Sequence, residues 1–218
     1  LGWHATDQPL YDFGFAQFYR AVADPAQAGN SRYLSRSILL LRDDCLIVHD
    51  DVADEAEGLF AWVNSGPLPQ IIQLKPGLKP AASSKESVRH YRGRGDFLTL
   101  VAPTNILAKA TGYGALIRQN EHVFSTDKPF QHVARGLLFE GTMGYARPGQ
   151  LALFSGKRLR LGRMALGREG GDFGCSAQVE GRTITGRFTG RKGGQIVLTP
   201  PFPFDAKAVR VLVKGKPV

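Results

Sequence analysis

The chain has 218 residues, 43% of them hydrophobic, and a formal net charge of +9 at pH 7. That apolar content excludes a disordered chain and is enough to bury a sizeable core. No run nears the roughly 18 consecutive apolar residues of a membrane-spanning helix; Ser37-Ile38-Leu39-Leu40-Leu41 is broken at once by Arg42, Asp43 and Asp44.

Strand signals begin at Phe13, Phe15, Phe18 and Tyr19. One short helical turn is expected around Asp24-Pro25-Ala26-Gln27-Ala28, stopped by Gly29-Asn30. Residues 33–41 and 45–53 read as a hairpin, because two apolar arms flank the polar turn Arg42-Asp43-Asp44. Further strand runs fall at 57–63, 70–74, 87–92, 97–102, 105–109, 113–118, 121–125, 136–140, 150–154 and 157–166. The last are 173–179, 182–188, 194–199 and 208–214; in the final run Val209, Val211 and Val213 share one face, the period of two that marks a half-buried strand. Gly and Pro punctuate these runs at Gly66-Pro67, Gly93-Arg94-Gly95, Arg147-Pro148-Gly149, Gly170-Gly171 and Pro200-Pro201. Helical periodicity is nearly absent, and no repeat of fixed length appears.

About fifteen short strands are too many for one twisted sheet, so the pattern predicts an all-β fold, a large two-sheet antiparallel β-sandwich. Residues 1–218 are read as one domain, with a soft seam near 148 where charge and glycine content change. Residues 1–150 carry 15 Lys/Arg against 15 Asp/Glu, whereas residues 151–218 carry 13 against 4. A one-signed field in the last third attracts polyanions, whether nucleic acid, anionic membrane or acidic polysaccharide; a spread of charge for solubility is the bland alternative. Cys45 and Cys175 sit inside apolar strand patterns and read as buried free thiols rather than a disulfide. No basic-then-apolar leader opens the chain, as expected where a signal peptide was removed or never existed.

One stretch carries more than composition. Ser31-Arg32-Tyr33-Leu34-Ser35-Arg36, the apolar run to Leu41, the turn Arg42-Asp43-Asp44, then Cys45-Leu46-Ile47-Val48-His49-Asp50-Asp51-Val52 make an arginine-led strand, a tight turn and an apolar strand ending in Asp. This resembles the C-terminal β-domain of the heparinase II/III family. Gly95-Asp96-Phe97-Leu98-Thr99-Leu100-Val101, His122-Val123-Phe124-Ser125, Gly141-Thr142-Met143-Gly144-Tyr145-Ala146 and Leu151-Ala152-Leu153-Phe154 fit the same pattern. The resemblance implies a sandwich that partners an α/α toroid in a polysaccharide lyase, a carbon–oxygen lyase that cleaves uronate polysaccharides by β-elimination. It also implies a periplasmic or secreted location. In that family Asn, His and Tyr of the toroid supply much of the chemistry, and the sandwich adds a His or Tyr. Nothing in this chain reads as a toroid, and the family's His-x-His pair near a structural metal is absent. The reading is therefore a fragment of a larger protein, inactive alone, with acidic polysaccharide and a toroid as partners; the alternative is a stand-alone, non-catalytic β-sandwich module that binds carbohydrate or another polyanion, or is purely structural. No membrane partner is expected, and nucleic acid ranks below glycan because no recognised nucleic-acid motif is present.

The candidate sites follow from residue type. Arg89-His90-Tyr91-Arg92-Gly93-Arg94 gathers three guanidiniums, an imidazole and a phenol, groups that fork onto carboxylate or sulfate and stack on a sugar face; a charged edge strand that discourages aggregation is the competing reading. Arg182, Arg187, Arg191 and Lys192 form a second polyanion-binding candidate, with Phe188 interleaved. His4 is the weak catalytic candidate, facing a missing domain. His49, at a strand end, reads as a hydrogen-bonded structural histidine. No metal and no cofactor is expected: His4, His49, His90, His122 and His132 include no pair at i,i+2 or i,i+4 spacing, and the acids Asp43-Asp44 and Asp50-Asp51 read as turn and strand-end residues. Pro200-Pro201-Phe202-Pro203-Phe204 reads as a stiff connector.

Overall fold

The computed structural model describes residues 5–6, 10–23, 33–41, 45–52, 58–63, 70–74, 79–81, 88–93, 95–102, 106–170, 173–190, 194–205, 212–213 and 216–217. Among them are twenty-one strands and no helix. In the first half these are β1 (Ala5–Thr6), β2 (Tyr11–Asp12), β3 (Ala16–Ala23), β4 (Tyr33–Leu41), β5 (Cys45–Val52), β6 (Gly58–Val63), β7 (Gln70–Gln73), β8 (Lys79–Ala81), β9 (Val88–Gly93) and β10 (Phe97–Ala102). Next come β11 (Ala108–Thr111), β12 (Gly114–Ile117), β13 (Glu121–Ala134), β14 (Leu137–Arg147), β15 (Gln150–Leu161) and β16 (Met164–Glu169). The last are β17 (Phe173–Glu180), β18 (Thr183–Gly190), β19 (Gln195–Thr199), β20 (Leu212–Val213) and β21 (Lys216–Pro217).

The fold is an all-β sandwich of antiparallel sheets. A seven-stranded sheet runs β1-β3-β4-β5-β10-β7, with β2 on β3; a nine-stranded sheet runs β11-β12-β13-β14-β15-β16-β19, with β17 on β15 and β18 on β17. Two smaller sheets, β6-β9-β8 and β20-β21, complete it. The pleat explains how the large sheets meet. Register places Phe18, Leu39, Ile47 and Leu100 in one cross-strand row of the first sheet. Ala115, Val123, Tyr145 and Ala152 form a row of the second. Both rows fall in one buried cluster, so each sheet turns this face to the other.

The second sheet also buries its opposite face. Within β15, Ala152 and Phe154 enter the inter-sheet core while Leu151 and Leu153 enter a second cluster with Phe124, Phe139, Leu159, Met164 and Phe173. The sheet forks here: β17 pairs with residues 150–153 of β15, and β16 pairs with residues 158–161. Both branches contribute to the second core, which the strand pattern alone did not suggest.

Several expectations change in detail. The run 157–166 is the end of β15, a turn and the start of β16, because Gly162 adopts φ +62° and reverses the chain. The runs 121–125 and 136–140 extend into strands of 14 and 11 residues. β8 was not expected, since Pro80 disguises a short pairing with β9. Residues 147–150 make the tight β14–β15 hairpin, so the compositional change near 148 falls inside a continuous sheet. The helical turn at 24–28 and the turn acids Asp43 and Asp44 lie outside the described residues. Cys45 and Cys175 are buried thiols that form no disulfide, one in each core.

Candidate functional site

The structure disperses much of the predicted basic cluster. On β9 the pleat sends Arg89 and Tyr91 to one face and His90 and Arg92 to the other. Tyr91 is buried, and burial pushes its phenol up, an effect that Arg89 partly offsets. β9 is the middle strand of its sheet, flanked by β6 and β8, so it is no edge to be protected. Arg182 is exposed in the β17–β18 turn, and Arg187 is exposed on β18 with its guanidinium beside Gly14. Those two lie five residues apart, about 17 Å along an extended chain. His4, Arg94, Arg191 and Lys192 lie outside the described residues.

A basic surface appears instead on the outer face of the β14–β15–β16–β19 branch. Register aligns Leu138, Arg160, Ala165 and Thr199 in one row and Glu140, Arg158, Gly167 and Val197 in the next. Ala165 and Gly167 leave the middle of that face low, and the result is a groove of about 720 Å³ walled by Arg158 and Arg160 on one side and Val197 and Thr199 on the other. Lys157 Nζ reaches Glu140 Oε1 at 3.7 Å across its end. Arg168 is used internally: it donates to the carbonyls of Gly156 and Phe173 and covers the Phe173 ring, 5.6 Å from its centroid. Arg158 and Arg160 make no ion pair among the described residues. Their signal was legible in Lys157-Arg158-Leu159-Arg160-Leu161, an alternation of cation and leucine that puts both arginines on one face of a strand.

A second polar site is built between the two large sheets. On the inner face of the first sheet, the row after Phe18, Leu39, Ile47 and Leu100 is Arg20, Ser37, His49 and Leu98. The core therefore turns from apolar to polar in one step along the strands. His49 is buried there. Its Nε2 lies 3.0 Å from Asp96 Oδ2 and its Nδ1 lies 2.8 Å from Ser125 Oγ on the facing sheet. With the carboxylate accepting from Nε2–H, Nδ1 is the acceptor and Ser125 donates. The order of groups is that of a hydroxyl held by an oriented imidazole. Ser125 itself is 2% exposed and opens on a cavity of about 160 Å³ that Arg20, Ser37, Thr142 and Ser155 also line.

The second sheet is bent where it meets this cavity. Register shifts occur between Ser125 and Phe130 on β13 and between Glu140 and Gly144 on β14, next to Ser155 and Gly156 of β15. Bulges re-aim side chains, and here they deliver Ser125, Thr142 and Ser155 to one place. Glycine is required for this: a Cβ on Gly141 would sit 2.4 Å from the Gly156 Cα.

The acids read from the sequence as a pair are separated. Asp50 is buried on the outer face and bound by Arg36 at 2.5 and 3.1 Å, while Asp51 falls on the inner side. A third cluster joins Tyr113, His122 and His132: the Tyr113 hydroxyl is 2.8 Å from His122 Nδ1, and the Tyr113 and His132 rings are 4.6 Å apart. Burial, and then the charge of His132, hold His122 below the usual histidine range. Burial holds the Tyr113 phenol above its ordinary value.

Among the described residues no group of three or more His, Cys, Asp or Glu side chains is arranged to hold a metal ion. No helix among them is long and apolar enough to cross a membrane. Comparison with protein-family models, with curated proteins and with solved structures finds no match to this chain.

Proposed function

We propose that this protein is a β-sandwich module that binds acidic polysaccharide, of the kind that accompanies the catalytic toroid of heparinase II/III-like lyases. The observation that carries the reading is the groove beside Arg158 and Arg160, in the part of the chain that holds the whole excess of positive charge. Two residues apart on one strand, their Cα atoms stand about 7 Å from each other, and their side chains leave the same face of the strand, where they can meet successive carboxylates or sulfates of a glycan. Guanidinium forks match both groups bidentately. Leu138, Ala165, Gly167 and Val197 give the groove an apolar lining against which the C–H faces of sugar rings rest. None of the described lining residues is aromatic, so bases find no ring to stack on, and sugar rings rest on these aliphatic groups instead.

The test is binding of the intact chain to heparin, alginate, hyaluronan and a single-stranded oligonucleotide across a salt series. The expected result is a salt-sensitive affinity for at least one glycan that the double variant R158E/R160E lowers by more than about tenfold, while R89E/R92E lowers it less. Absence of glycan binding at low salt, or a double variant that binds as the parent does, overturns the reading. Tighter binding of the oligonucleotide than of any glycan replaces it.

A further inference from the structure

We infer that the cavity between the two large sheets is a binding site for a small oxyanion, of the size of phosphate, sulfate or acetate. This site is separate from the outer groove and does not depend on the glycan reading.

The argument is an accounting of donors. Arg20 Nε and Thr142 Oγ1 are buried and have no hydrogen-bond partner among the described residues. Burying such groups unpaired costs roughly 1–3 kcal/mol for a neutral group and more for a charged one, so two of them at one cavity ask for an acceptor there. Arg20 Nη2 is already held by Ser35 Oγ at 3.2 Å, which fixes the guanidinium. Ser125 gives its proton to His49, and Thr126 gives its own to the Lys128 carbonyl at 2.9 Å. Arg20, Thr142, Ser37 and Ser155 remain as donor-bearing side chains that line the cavity.

Charge agrees with this count. Arg20 is a cation among the lining side chains, and no carboxylate lines the cavity among the described residues. Asp96 stands behind His49, and Asp51 sits one row further out opposite Ser35, outside the lining. The volume, about 160 Å³, corresponds to roughly five waters' share of liquid. That accommodates an oxyanion of four or five heavy atoms. A fixed guanidinium beside converging hydroxyls is an arrangement that recognises oxyanions through charge-assisted hydrogen bonds.

The experiment follows the Arg20 Nε–H resonance of the intact chain by NMR during titration with sodium phosphate, sodium sulfate and sodium acetate. Sodium chloride at matched ionic strength is the reference, and R158E/R160E is the background, so that the outer groove does not contribute. The expected result is a saturable shift with at least one oxyanion, and the three salts distinguish tetrahedral from planar ligands. Thr142→Val, nearly isosteric and followed by the same resonance, should weaken that binding by at least about threefold, and Arg20→Leu, followed by the backbone amides of Ser37 and Thr142, by at least about tenfold. If Arg20→Leu fails to fold, the Thr142→Val comparison decides. No saturable shift beyond chloride, or an unchanged affinity in Thr142→Val, overturns the proposal and leaves the cavity to water.

Discussion

Ser125 Oγ and His49 Nδ1, 76 residues apart in sequence, meet at 2.8 Å across the two large sheets. This polar tie sits where apolar packing between the layers ends. Ser125→Ala removes the donor and leaves the imidazole nitrogen facing a methyl group. The expected cost is about 1–2 kcal/mol, read as a lower midpoint in urea unfolding with an unchanged slope. A variant as stable as the parent would show that the hydrogen bond contributes nothing net.

His122 gives the fold a pH dependence of known sign. Burial and His132 lower its affinity for a proton in the folded state. The unfolded chain then binds more protons below the ordinary histidine pKa of about 6.5. Stability should be fully present above that value and fall as the solution is acidified through it. His122→Gln should flatten this part of the profile. Urea midpoints measured from pH 8 to pH 5 check both statements.

The Cys175 thiol is fully buried, and burial pushes its pKa up to about 12, with Arg168 opposing in part. The thiolate is the reactive form, so at pH 8 native Cys175 should resist a water-soluble disulfide reagent. Cys45, also buried, should behave alike. Both thiols should react promptly in strong denaturant. Fast labelling of the native chain would contradict the burial.

The turn joining β12 to β13 holds two successive non-glycine residues at positive φ, Arg118 at 49° and Gln119 at 70°. Left-handed backbone costs an L-residue roughly 1–2 kcal/mol. Arg118 has a reason to be there, since it reaches buried Glu121 at 3.2 Å and the Cys45 sulfur at 3.4 Å. Gln119 is exposed. Gln119→Gly should therefore stabilise the protein by up to about 1 kcal/mol, after the greater chain entropy of glycine is subtracted. Thermal unfolding of the variant against the parent tests this.

The sandwich was legible because alternation is a local signal: Arg36, Ile38 and Leu40 against Ser37, Leu39 and Leu41 separates two faces without knowledge of any partner. Strand lengths beyond 125 were less so, since Thr126-Asp127-Lys128-Pro129 reads as a break and is a bulge inside one long strand. The groove arginines stand in the sequence as an alternating pair, but the run at 89–94 is the denser cluster of charge, and the pleat divides that run between two faces. The Ser125–His49–Asp96 chain could not be read at all. Its members come from β5, the loop before β10, and β13, and only the register of two sheets brings them together.

β15 belongs to two cores at once, with Ala152 and Phe154 on one side and Leu151 and Leu153 on the other. Neither core can open without stripping partners from the same four consecutive side chains. The two halves are thereby denied separate melting, and the molecule should lose its structure in one cooperative step. Amide protons of residues 151–154 should be the last to exchange with deuterium, at rates set by global rather than local opening.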